Sequence, residues 1–177
     1  AGTAGQPRAV GALPEGCRRC ITGEKLVLFV TGLCKQNCYY CTISAGRWQK
    51  DEVWANERRV LKDEDVLEEA RLCRAKGAGI TGGEPLLVLD RTARLIKLLK
   101  REFGPDFQIH LYTSGAGFGQ KELRALRDAG LDELRVHKNR ELVKEALALS
   151  GWKVGMEVPA VPGQERELCA LVDYLDG

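Results

Sequence analysis

Apolar residues fall along this chain in two alternating rhythms. Short continuous runs give way to stretches in which apolar positions recur every three or four residues. KLVLFVTG (25–32) is such a run, and its length and β-branched content predict a strand buried on both faces. KDEDVLEEARLCRA (62–75) has apolar positions 66, 67, 70, 72 and 73 with acids near its start, and so predicts an amphipathic helix stopped by Gly77 and Gly79. The alternation then repeats. Strands are predicted over 78–83, 107–115, 132–137 and 153–163, and helices over 90–104, 121–130, 139–151 and 165–176. Residues 1–16 read as an extended lead-in, and 42–61, with two tryptophans, as a long irregular loop.

Strands alternating with helices predict an α/β fold with a parallel sheet and right-handed crossovers. Five strands and five helices are too few for a closed eight-fold barrel, which takes about 250 residues. The expectation is therefore a partial, open β/α barrel. Residues 1–23 form an N-terminal extension with a Cys-x-x-Cys, and 24–177 the core domain. The joins at 115–120 and 137–140 are abrupt, and the chain stops after a helix where a sixth strand would follow. A core incomplete at its C-terminus, or one lacking loops, is expected.

Composition adds little and excludes some classes. Among 177 residues, 44% are apolar, 29% are charged and the net charge is +2, so no strong field points to nucleic acid or anionic membrane. No apolar run approaches the roughly 18 residues of a membrane span. The opening AGTAGQPRAVGALPEG lacks a signal peptide's hydrophobic block, so a cytoplasmic location is expected. One methionine beside many Glu, Lys and Arg is compatible with a thermophile.

The chemistry lies in the cysteines at 17, 20, 34, 38, 41, 73 and 169. In a reducing compartment such clusters are more often metal ligands than disulfides. Cys34, Cys38 and Cys41 are spaced C-x3-C-x2-C directly after the first buried strand, at the mouth where parallel α/β folds place ligands. A four-iron cubane is normally held by four thiolates; three leave one iron open for a ligand. The alternatives are a zinc site completed by Cys17 or Cys20, or unrelated buried thiols. At the end of the second strand stands Gly82-Gly83-Glu84-Pro85, glycines that admit close backbone approach beside one carboxylate.

These two motifs together, with an aromatic residue before the third cysteine, resemble the radical S-adenosylmethionine (SAM) superfamily. The resemblance covers about residues 24–163, and it is strongest to archaeal proteins related to pyruvate formate-lyase activating enzymes. It implies a [4Fe-4S] cluster on Cys34, Cys38 and Cys41, with SAM chelating the open iron. It implies that Gly82, Gly83 and Glu84 bind the SAM amino group and that the backbone at Tyr40 meets the adenine. An electron from the cluster, delivered by an external donor such as a ferredoxin or flavodoxin, would release a 5′-deoxyadenosyl radical that takes hydrogen from substrate.

Strand alternation offers an independent reading. Gln108, His110 and Tyr112 share one face, as do Arg135 and His137, and Glu157 continues this polar set. If the apolar sets face the helices, a polar lumen results, which makes Arg135, His137 and Glu157, with the strand-end Thr113 and Ser114, candidates for cofactor contact. The bland alternative is satisfied core polars or strand-end solvent contacts. Cys17 and Cys20 form a possible second metal site, with Cys73 or Cys169 completing it, or a structural or redox-labile pair. The basic and aromatic residues of 46–59 fit RNA contact or a loop packing its tryptophans. A macromolecular substrate, protein or RNA, is expected, and no membrane. The competing class is a non-enzymatic zinc- or cluster-binding module or electron carrier.

Overall fold

The computed structural model describes residues 11–149 and 151–176. A short helix α1 (Glu15–Ile21) precedes β1 (Leu26–Phe29). The hairpin β2 (Val53–Ala55) and β3 (Arg58–Val60) follows, then α2 (Asp63–Leu72) and β4 (Gly77–Thr81). A 3-10 turn, Pro85–Val88, leads into α3 (Leu89–Phe103), β5 (Gln108–Thr113), α4 (Gln120–Asp128) and β6 (Glu133–Val136). The described part ends with α5 (Arg140–Leu147), β7 (Lys153–Met156) and α6 (Glu165–Asp176). The strands form one open sheet in the order β3-β2-β1-β4-β5-β6-β7. From β1 to β7 every pairing is parallel; β2 and β3 join antiparallel. All five strands expected from the sequence are present.

One face of the sheet is apolar. Leu26, Leu28, Ile80, Ile109, Leu111 and Leu134 are fully buried there. They form one cluster with Val66, Ile96, Leu99, Leu123, Leu126 and Leu142 of the crossover helices. Burying each such side chain contributes about 1.5–3 kcal/mol, enough for this face to fix which way every strand is turned. Loss of one register step would reverse the alternation and expose the whole set.

Three expectations need correction. The loop read over 42–61 contains the β2–β3 hairpin. Its strands are three residues long, and its turn, Asn56-Glu57, lacks the Asn-Gly signature. Asn56 adopts φ 51° and is held on β1 by its amide N–H to the Val27 carbonyl at 2.8 Å. The lead-in read over 1–16 becomes helical from Glu15; its first ten residues lie outside the described ones. Gly77 and Gly79 do not stop α2: Arg74, at φ 51°, turns the chain, and both glycines lie inside β4. A Cβ on Gly77 would stand 2.4 Å from the Gln108 carbonyl oxygen, so β4 needs the glycine to reach β5.

The opposite face is polar, as the alternation predicts. α1 seats on it against β4 and β5. Lys25 Nζ donates to His110 Nδ1 at 2.5 Å and to Gln108 Oε1 at 2.8 Å, while His110 Nε2 lies 3.1 Å from the Tyr112 hydroxyl. Arg135 donates to Glu133 at 2.7 Å and to Tyr112 at 2.8 Å. Burial, reinforced by the Lys25 and Arg135 charges, pushes the His110 pKa down to about 2, and burial lowers that of Lys25 to about 8.

This network sets a pH dependence. Folded His110 stays neutral where the unfolded imidazole, with a pKa near 6.5, takes up a proton. The unfolded state thus binds more protons below that value, and stability falls as pH falls through it, with a slope of up to about 1.4 kcal/mol per pH unit. Between pH 6.5 and 5 this term precedes protonation of ordinary carboxylates. Urea midpoints measured across that interval should decline in the native protein and flatten in His110→Gln, with His137→Gln as the control for the other histidine.

Candidate cofactor site at the mouth of the sheet

The cysteine loop leaves β1 at the carboxyl end of the sheet, and its root is built into the neighbouring strand's exit. Gly83 N–H donates to the Thr31 carbonyl at 2.7 Å, and Glu84 N–H to the Leu33 carbonyl at 2.8 Å. Cβ atoms on Gly82 and Gly83 would stand 2.5 Å from the Thr31 oxygen and 2.2 Å from the Leu33 oxygen. The two glycines thus serve the approach of one backbone segment to another. The N–H groups of Gly83 and Glu84 are engaged in these bonds, and an ammonium group, which only donates, can be met at this point by carbonyl and carboxylate oxygens alone.

Glu84 is buried, 4% exposed. Its Oε1 accepts from Thr113 Oγ1 at 2.5 Å and Leu86 N at 3.2 Å, and its Oε2 from Ser114 N at 2.9 Å and Ser114 Oγ at 2.6 Å. Glu84, Thr113 and Ser114 are therefore one constellation. The cleft beside it is lined by Glu84, Ser114, Leu87, Ala116 and Phe118 together with Lys35 and Gln36 of the cysteine loop.

Cys34 and Cys38 are half-buried and Cys41 is exposed. Burial pushes the Cys34 thiol up, and Glu84, Cys38 and Cys41 lie near enough to add to that effect. Among the described residues no three His, Cys, Asp or Glu side chains converge on a single metal-ion position. A single zinc ion needs such convergence; a cubane takes each thiolate on a different iron, and its sulfurs meet no common point. Three thiols on one short loop at an open mouth fit a group that takes each thiolate on a different iron. Cys73 packs at the end of α2 with its thiol on the Ala70 carbonyl, and Cys169 is exposed on α6.

Across the mouth, Tyr40 bonds through its hydroxyl to His137 Nε2. His137 Nδ1 faces the Glu157 carbonyl at 2.9 Å; a carbonyl only accepts, so Nδ1 carries the proton and Nε2 accepts from Tyr40. This joins the cysteine loop to the ends of β6 and β7. Lys138, unremarked in the sequence, lies 5.6 Å over the Tyr40 ring. Arg135 is placed differently: its guanidinium is spent on Glu133, Tyr112 and Cys17 beneath α1, with Glu157 at 3.9 Å. The Glu157 side chain is half exposed and its carboxyl is raised by burial. Lys25, at the floor of the same network, is marked by no motif. Its only signal was an ammonium placed one residue ahead of a buried run.

The arginines of the basic loop are paired with carboxylates of the loop and of α2. Arg47 stacks 4.2 Å over Trp54 and pairs with Glu57, Arg58 pairs with Asp65 and Glu68, and Arg59 with Glu52.

An open, mostly parallel sheet with three thiols, a buried carboxylate and two glycines at one mouth is an α/β architecture of the kind that takes ligands at the carboxyl ends of its strands. Comparison with known proteins makes the family explicit. The family model for the radical SAM superfamily matches residues 28–139, and the chain belongs to that superfamily. A curated protein of Methanocaldococcus jannaschii, named as a candidate glycyl-radical enzyme activating enzyme, is 44% identical over 179 residues, covering 93% of this chain and 48% of that protein. Two crystal structures of BtrN share the fold. The open conformation has a TM-score of 0.51 at 21% identity, over 77% of this chain and 55% of that one. The complex with AdoMet and 2-DOIA has a TM-score of 0.53 at 18% identity, over 75% and 55%. The chain thus spans about half the length of the curated relative it matches. No described helix is long and apolar enough to cross a membrane.

Proposed function

We propose that this chain is the catalytic core of a radical SAM enzyme that activates a protein substrate of the glycyl-radical class, working in a reducing cytoplasm with an external electron donor. The observation that carries the reading is the tie between the two motifs: the C-x3-C-x2-C loop springs from residues 31–33, which Gly83 and Glu84 hold by backbone hydrogen bonds. Cys34, Cys38 and Cys41 would hold a [4Fe-4S] cluster, which when bound supplies the electron that splits SAM into methionine and a 5′-deoxyadenosyl radical.

The remaining chemistry belongs to the chain. Glu84, fixed by Thr113 and Ser114, presents charge to the SAM ammonium from a site where competing water is excluded. Tyr40, held by His137, sets the far wall against the nucleoside. Arg135 and Glu157 shape the lumen beneath. A protein substrate is favoured over RNA because the relative's name specifies an enzyme target and because the three arginines of 47–59 already have carboxylate partners.

The test is anaerobic reconstitution with iron and sulfide, followed by dithionite and SAM. About four irons per chain, broad brown absorbance and release of 5′-deoxyadenosine are expected. Stoichiometric zinc with no SAM turnover after proper reconstitution would leave the zinc-module alternative standing.

A further inference from the structure

The Cys17–Cys20 pair is used by none of this chemistry. Both residues lie on α1, three apart, and so share a helix face. They differ in setting. Cys20 is exposed; Cys17 is half-buried, and its Sγ accepts from Arg135 Nη2 at 3.3 Å. The Lys25 ammonium lies within electrostatic reach of both sulfurs. From this arrangement we propose that Cys17 and Cys20 are a thiol–disulfide exchange site, taking disulfides of small thiols as oxidant, and that its oxidation state is transmitted to the floor of the lumen.

The steps balance. The Cys20 thiolate attacks one sulfur of the incoming disulfide and expels one thiolate, giving a mixed disulfide. Cys17 then attacks the Cys20 sulfur and expels the second thiolate. Two electrons pass to the oxidant, and the two protons of the cysteines leave with its two thiols. The exposed residue is the one reached first; the residue held by a guanidinium is placed to resolve.

Geometry makes the bond a labile one. Helical positions three apart hold their Cβ atoms about 5–6 Å apart, whereas a relaxed disulfide wants about 3.5–4.5 Å. Closing it strains α1, and strained disulfides are the readily reduced ones. The strain has a short path inward. Gly16, beside Cys17, is buried so tightly that a Cβ there would stand 2.5 Å from His110 Nδ1 and 3.0 Å from Arg135 and Lys25. Drawing Cys17 toward Cys20 takes the sulfur from Arg135 and shifts the backbone resting on His110.

The experiment uses the anaerobically reconstituted chain, equilibrated with mixtures of reduced and oxidised glutathione, acid-quenched and digested with trypsin. Arg18 and Arg19 separate the two cysteines, so cleavage yields separate peptides from the dithiol and one linked pair from the disulfide. The linked pair should appear reversibly as oxidised glutathione increases, and hydrogen exchange over 108–112 should rise with it while 120–128 stays unchanged. Cys17→Ser should trap a glutathione adduct on Cys20, and Cys20→Ser should leave Cys17 a free thiol. Both thiols surviving where a free peptide of the same segment is oxidised would overturn the proposal, as would zinc retained by the pair or adducts on Cys17 alone. Unchanged exchange over 108–112 on oxidation would overturn the transmission to the floor.

Discussion

Cys38→Ala should fold as the native chain does and fail to take up a cluster. Cys38 is half-buried on a loop outside the apolar cluster, so its truncation should move stability by no more than about 0.5 kcal/mol in the metal-free protein. Its chemical loss is complete by comparison. With two thiolates in place of three, a second iron would depend on solvent or a stray ligand, and the brown absorbance after reconstitution should fall to the level of protein without added sulfide. Production of 5′-deoxyadenosine should fall to background with it. Cys73→Ala, which removes a thiol bonded only to a helix carbonyl, should keep both. Iron uptake by Cys38→Ala equal to that of the native chain would remove the basis of the assignment.

The contrast between these variants reflects what the sequence could disclose. The apolar face is legible because Leu26, Leu28, Ile109, Leu111 and Leu134 alternate or run in patterns that only a buried strand satisfies. The three cysteines were legible because thiols at such spacing have few other uses. The hairpin at 53–60 was not, since three-residue strands carry too little alternation to register and Asn56 makes its turn without glycine. The floor was half legible. Alternation placed Gln108, His110 and Arg135 on one face, but their partners arrive from β1 and α1, and no local pattern announces that Lys25 will meet His110 across 85 residues. The roles of the glycines are hidden in the sequence for a related reason. A sequence shows that a backbone is bare, and only the fold shows what comes close to it.

That close approach sets the second large effect. Gly83→Ala would place a Cβ 2.2 Å from the Leu33 carbonyl oxygen and 2.8 Å from that of Gly32, both main-chain atoms that cannot swing aside. The strand exit has to part from the loop root. Overpacking of this kind costs about 1–3 kcal/mol, and the hydrogen bonds from Gly83 to Thr31 and from Glu84 to Leu33 are stretched with it, adding about 1–3 kcal/mol for each buried group left unpaired. The expected total, about 3 kcal/mol or more, is a large share of a typical domain's stability of about 5–15 kcal/mol. Gly117→Ala provides the scale. It has φ +81° but nothing within 4 Å, so it suffers backbone strain alone, about 1–2 kcal/mol. Urea midpoints should therefore order native, Gly117→Ala, Gly83→Ala. SAM binding by calorimetry should survive in Gly117→Ala and vanish in Gly83→Ala even at temperatures where that variant stays folded, because Glu84 moves with its neighbour. Equal SAM affinity in the folded Gly83→Ala protein would mean that the loop root and the carboxylate act independently, and that the tie between the two motifs plays no part in forming the site.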